Sequence, residues 1–224
     1  MEQALPPLAT EGYVDHDGAR IWYGTAGEGE PVMLLHGGME SSLSWGNQVP
    51  ALIKTNHEVI LIDSRGHGRS TLGPYPLSYE RMQSDVLAVM DALHLKKASF
   101  VGWSDGANIS LIMAMKNPER VNGVYAFGAN MKTDAIVPGT FSSHILSEVA
   151  ARLAKDYARM SPTPTASIFF TKHSKRCRRK SLTTQRKNSL RSKCLRSPSL
   201  GAIMRNSLLV LTQTILQPPF PAQS

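Results

Sequence analysis

Four short apolar runs recur along the first 130 residues, each closed by glycine or a polar cluster. They are PVMLLHGG (31–38), EVILID (58–63), ASFVGW (98–103) and VNGVYAFG (121–128). Continuous apolar runs of this length, rich in β-branched and aromatic residues, fit strands buried on both faces of a parallel sheet. Between them the spacing changes. From Tyr79 to Leu95, Met82, Val86, Val89, Met90 and Leu93 recur every three or four residues, the period of an amphipathic helix. Ser104 to Asn117 is rich in Ala, Ile, Leu and Met, and Pro118 stops it. Strands alternating with helices every 30 residues or so require right-handed crossovers, so the expected fold is α/β, with helices on both faces of a mostly parallel sheet. An earlier piece, 20–26, is expected to add an antiparallel edge strand.

Candidate chemistry collects in the loops after these strands, where open α/β sheets place their sites. Gly102-Trp103-Ser104-Asp105-Gly106 stands between a strand and a helix. Glycines two before and two after the serine permit a sharp, strained turn that lifts the hydroxyl to the top of the sheet. The helix start beneath it offers unpaired backbone N–H groups to a developing oxyanion. His36-Gly37-Gly38-Met39 follows the first long strand, and the N–H of Gly38 with that of Asp105 would make a two-donor oxyanion hole. His36 reads as a brace for its loop rather than a base. Asp63-Ser64-Arg65-Gly66-His67-Gly68-Arg69-Ser70 reads as a structural loop, with Asp63 accepting backbone N–H bonds and Arg65 tying neighbouring turns together.

These three motifs, in this order and spacing, resemble the α/β-hydrolase fold superfamily, and within it small esterases with a GWSDG nucleophile elbow. The resemblance covers residues 12–160. It implies Ser104 as nucleophile, the Gly38 and Asp105 amides as oxyanion donors, and no cofactor or metal. It also implies that residues 131–160 begin a helical cap over the pocket. The expected organisation is a core over 1–130, the start of the cap over 131–165, and a basic tail over 166–224. The superfamily order Ser, acid, His further demands an acid and a histidine late in the chain. After Ser104 the acids are Asp105, Glu119, Asp134, Glu148 and Asp156, and the histidines are His144 and His173. Asp134, after the fourth run, is the weak candidate for the acid. His144 reads as a cap-surface residue and His173 as a bystander in a basic run.

Charge changes the picture at the far end. The chain has 224 residues and a net charge of +8, but residues 1–165 hold all 17 acids and carry −4, whereas 166–224 hold 12 basic residues and no acid. A basic tail that binds nucleic acid or an acidic membrane face is one reading, but the segment has few aromatics and no folded nucleic-acid motif. A disordered extension is a second. The third is a reading frame displaced by one base. Codons allowed for Thr183–Ser207 can be re-read from the third base as YTEKELAKIKVPTLAIAG, one variable residue, then DHEEL. This is the helix, strand and acid-bearing turn that the resemblance demands after the cap. The base gained or lost would lie between residues 160 and 183, near Thr165.

The expected function is therefore a serine hydrolase acting on a small carboxylic ester or related acyl compound. The alternative is a catalytically inactive, truncated or frame-shifted hydrolase-like chain that lacks the acid, the histidine and the last two strands. A small-molecule acyl substrate is the expected partner, with no specific nucleic acid and no membrane. Cys177 and Cys194 set no disulfide framework and the first residues lack a basic start and an apolar core, so a cytoplasmic location is expected.

Overall fold

A computed structural model describes residues 4–129 and 144–164. The elements are β1 (Thr10–His16), β2 (Ala19–Ala26), β3 (Glu30–Leu35), α1 (Gln48–Lys54), β4 (His57–Ile62), α2 (Tyr79–Ala92), β5 (Ala98–Trp103), α3 (Asp105–Lys116), β6 (Val121–Phe127) and α4 (His144–Met160). The six strands form one sheet in the order β1-β2-β4-β3-β5-β6. The pairs β3–β4, β3–β5 and β5–β6 are parallel, and β1–β2 and β2–β4 are antiparallel. The expected mostly parallel α/β sheet is thus present.

Because successive strand side chains point to opposite faces, β3, β4 and β5 serve two cores at once. Val32, Leu34, Val59, Leu61 and Val101 join Val49 and Leu52 of α1, Trp22 and Trp45 on one face. Met33, Leu35, Ile60, Ile62 and Phe100 join the apolar faces of α2 and α3 on the other. Both helices follow from local rules. The Ser78 hydroxyl accepts the Arg81 N–H at the start of α2, and Pro118 follows directly on the C-cap Asn117 of α3. Val89, Met90, Ile109, Ile112 and Met113 are almost wholly buried; side chains of this kind contribute about 1.5–3 kcal/mol each when fully withdrawn from water.

One expectation needs correction. The segment expected as an antiparallel edge, 20–26, is β2, and it is antiparallel but not at the edge; β1 lies outside it. The two strands are joined by Asp17 and Gly18, both at positive φ (46° and 72°), with His16 paired to Ala19. This is the two-residue hairpin that an Asp-Gly pair favours. At the opposite side, β6 is the outermost strand among the described residues, with Phe127 57% exposed. Among the described residues no helix is long and apolar enough to cross a membrane. Asp134, His173, Cys177, Cys194 and the basic segment lie outside the described residues.

Candidate active site

Ser104 stands at the junction of β5 and α3, with φ 52° and ψ −112°, a conformation that costs a residue with a Cβ of order 1–3 kcal/mol. Two close backbone contacts and two hydrogen bonds hold it there. A Cβ on Gly102 would lie 2.4 Å from the carbonyl oxygen of Gly106, and one on Gly106 would lie 2.0 Å from that of Leu35. The spacing of the two glycines therefore lets strand and helix backbones touch each other and touch β3. The Ser104 N–H donates to the carbonyl of Phe127 on β6 at 2.8 Å, and its own carbonyl accepts the Asn108 N–H at 3.1 Å. The Ser104 hydroxyl makes no capping bond to α3. Asp105, Gly106 and Ala107 precede that Asn108 bond, so their N–H groups have no partner within α3.

The loop after β3 leans on the same turn. A Cβ on Gly37 would lie 2.4 Å from Nε1 of Trp103, so the loop backbone packs directly against the residue before Ser104. Gly38 forms a turn with Met39, which takes a left-handed φ of 69°, and Glu40 closes the loop by accepting the Gly37 N–H at 3.1 Å and donating its own N–H back to the Gly37 carbonyl. α4 covers this loop. A shallow cleft between them is lined by Met39, Glu40, Leu43, Leu153, Tyr157 and Met160.

His36 is a brace. Its Nε2 accepts the Ser64 N–H at 3.0 Å, which requires the proton on Nδ1, and Nδ1 donates to the Gly37 carbonyl at 2.7 Å. Both ring nitrogens are thereby committed to the loops. His67 lies 5.0 Å from it, ring to ring, and its Nδ1 bonds the Arg65 carbonyl at 3.0 Å. Burial, with the neighbouring His36 adding to it, holds the His67 imidazole well below its ordinary pKa of 6.5, so it stays neutral. The Asp63 carboxylate accepts the N–H groups of Ser42 and Arg69 and the Arg69 guanidinium, all within 2.9 Å. Arg65 grips Asp85 of α2 with two bonds of 2.7 and 2.6 Å, both side chains buried, and burial raises the Asp85 carboxyl despite that partner. The loop is structural, as its composition suggested.

Sequence reasoning overlooked Tyr79. Its phenolic O–H donates to Asp105 Oδ1 at 2.6 Å, both side chains buried. Nothing local in the sequence marks the pair, which is 26 residues apart. Trp103 and Phe127 stack beside the turn at 5.4 Å and are partly exposed. His144 lies on the surface of α4, 3.7 Å from Glu148. Among the described residues no cluster of three or more His, Cys, Asp or Glu could hold a metal ion.

Residues 30–197 match the family described as the alpha/beta hydrolase fold. The chain belongs to that family. This alpha/beta hydrolase is 35% identical over 130 residues to bifunctional epoxide hydrolase 2 of Sus scrofa, covering 54% of the chain and 23% of the relative. It is 36% identical over 132 residues to the serine hydrolase BPHL of Homo sapiens, covering 57% and 45%. It therefore spans less than half the length of either relative. Among solved structures it is similar to that of Est816, described as an N-acyl homoserine lactone degrading enzyme, with a TM-score of 0.57, 28% identity, and 66% and 65% of the two chains covered. The family match extends 32 residues beyond Thr165, to residue 197, and so runs into the basic segment.

Proposed function

We propose that this hydrolase is a serine hydrolase of small carboxylic esters or related acyl compounds, working through an acyl-enzyme on Ser104. The strained backbone of Ser104 between β5 and α3 is the observation that supports this most, because it sets a hydroxyl beside the unpaired N–H groups of a helix start. Ser104 Oγ adds to the substrate carbonyl carbon while the carbonyl π electrons move onto oxygen. The backbone N–H groups of Gly38 and Asp105 are the donors assigned to that oxyanion. Collapse breaks the bond to the alcohol, which leaves with the proton that Oγ gave up. Water then adds to the acyl-enzyme, releases the acid and restores the hydroxyl. Asp134 remains the candidate acid, and a cytoplasmic location belongs to the same reading.

The nucleophile also bears on substrate class. A serine hydroxyl opening an epoxide would be left as an ether, which water does not readily cleave, whereas a serine ester is turned over. The reading therefore favours acyl transfer, lactones included, over the reaction named for the epoxide hydrolase relative.

A second reading, a catalytically inactive hydrolase-like chain, has its own support. His36 has both nitrogens engaged and His67 is buried and neutral, and among the described residues no histidine is bonded to Ser104. Serine without a base is a poor nucleophile.

Reaction of the 224-residue chain with a fluorophosphonate, followed by intact mass, separates the two. One adduct that Ser104→Ala abolishes, with turnover of p-nitrophenyl butyrate, supports the hydrolase. No adduct, and turnover no better than that of Ser104→Ala, supports the inactive chain. The displaced frame is read separately, from the coding DNA across codons 155–185 and the mass of the protein from its native cells. A mass well above 24.5 kDa, with a restored frame that ends in an acid and a late histidine, would mean a working serine hydrolase; a mass of 24.5 kDa would mean that the chain as written is the protein made.

A further inference from the structure

Tyr79 is the first residue of α2 and Asp105 the first of α3, so a single hydrogen bond joins the starts of two helices at the residue that follows Ser104. We propose that Tyr79 is a positioning residue for the elbow, holding Asp105, and with it the backbone N–H beside Ser104, in the orientation a developing oxyanion requires. The proposal rests on reading Ser104 as the nucleophile.

A residue held at φ 52° and ψ −112° keeps that conformation only where its surroundings over-determine it. On the strand side, the Ser104 N–H is tied to Phe127 of β6. On the helix side, Asn108 secures the Ser104 carbonyl, a bond internal to α3 that moves with the helix. Beside the packing of Gly106 on Leu35 of β3, the Asp105 carboxylate supplies a hydrogen-bonded external reference. A carboxylate in the first turn could stay in solvent near the helix dipole; instead this one is 8% exposed and receives a phenolic hydrogen of another helix at 2.6 Å. Bonds of that kind, to a charged acceptor, are short and directional.

The anchor itself is rigid. Tyr79 is 1% exposed and belongs to the larger core cluster with Met82, Val86 and Ile109. Its backbone position is fixed by the Ser78 cap one residue earlier. General attachment of α2 to α3 has other sources, including the bond from Gln83 Nε2 to Asn117 Oδ1 at 2.9 Å. The Tyr79 bond differs in being placed at the elbow.

The test measures amide hydrogen exchange on a peptide covering Gly102–Ile109 in the full chain, for Tyr79→Phe, Asp105→Ala, their double variant and Gln83→Ala. Tyr79→Phe is expected to raise exchange in that peptide about 10-fold or more, the change that losing one hydrogen bond to a charged group produces. Exchange in the C-terminal half of α3 is expected to stay unchanged. Asp105→Ala should do the same, the double variant no more than either, and Gln83→Ala should leave the elbow peptide as it was. Unchanged elbow exchange in Tyr79→Phe would overturn the proposal. So would an equal rise along all of α2 and α3, or additive effects in the double variant. If the wild-type chain reacts with fluorophosphonate, Tyr79→Phe is expected to slow that reaction by a similar factor, and an unaltered rate would also overturn it. A wild-type chain that never reacts would instead refute the hydrolase reading, while exchange still decides whether Tyr79 fixes the elbow.

Discussion

Gly106 of α3 faces the carbonyl of Leu35 on β3 with no room for a methyl group: a Cβ would lie 2.0 Å from the oxygen and 2.5 Å from the carbon. Both neighbours are backbone, and both elements are locked into the same core, so no flexible side chain can yield. Gly106→Ala is expected to lower stability by about 3 kcal/mol, at the upper end for overpacking. A urea midpoint close to wild type would show that α3 can slide.

Ser104 stores strain that the fold tolerates. Ser104→Gly is expected to stabilise the protein by about 1 kcal/mol relative to Ser104→Ala, which keeps the Cβ and therefore the strain. Both remove the hydroxyl, so the difference reports the backbone alone. Equal midpoints in urea for the two variants would remove the case for a strained turn.

Acid should weaken the fold through His67. Its folded pKa is lowered below 6.5 by burial, so in acid the unfolded chain binds a proton that the folded chain refuses. The stability it preserves is complete above pH 6.5 and drains away as pH falls toward the folded value, at about 1 kcal/mol per pH unit. His67→Gln is expected to flatten that part of the profile. In the wild type the His67 ring resonances should hold still from pH 8 to pH 6; a titration centred near 6.5 would contradict this.

β6 and its aromatic end should make the chain self-associate. Phe127 is 57% exposed and stacks on a partly exposed Trp103 at the outermost described strand. Outer strands with apolar side chains template further pairing. Sedimentation of the 224-residue chain is expected to show concentration-dependent association that Phe127→Lys reduces. A monodisperse monomer at all concentrations would rule this out.

The parts of the fold that were readable from sequence are those in which one residue pattern answers one physical demand. β3, β4 and β5 are apolar runs because they are buried on two faces, α2 shows the three-and-four spacing because it buries one face, and α3 is a largely apolar stretch because residues 105–110, 112 and 113 are all buried. β1 escaped notice because its side chains are largely exposed or half-buried, and only the Asp17-Gly18 turn marks it. α1 is seven residues long with Pro50 in its first turn, weak on propensity, and is held by burial of Val49 and Leu52. The Ser104 turn was legible because two glycines at fixed spacing are a local necessity. Its tie to Tyr79 was not, because a bond between residues 26 apart leaves no local trace.

The two-core sheet also governs which changes of length the gene can survive. Inserting or deleting one codon inside β3, β4 or β5 would turn every later side chain of that strand over, sending Met33, Leu35 or Ile60 toward α1 and their neighbours toward α2 and α3. The layers are not interchangeable, since one is filled around Trp22 and Trp45 and the other around Tyr79 and Phe100. Length variation is therefore confined to the connections between strands and helices. In this half of the molecule the spacing of the strands is inherited as a rigid unit, while the loops between them remain open to evolutionary change.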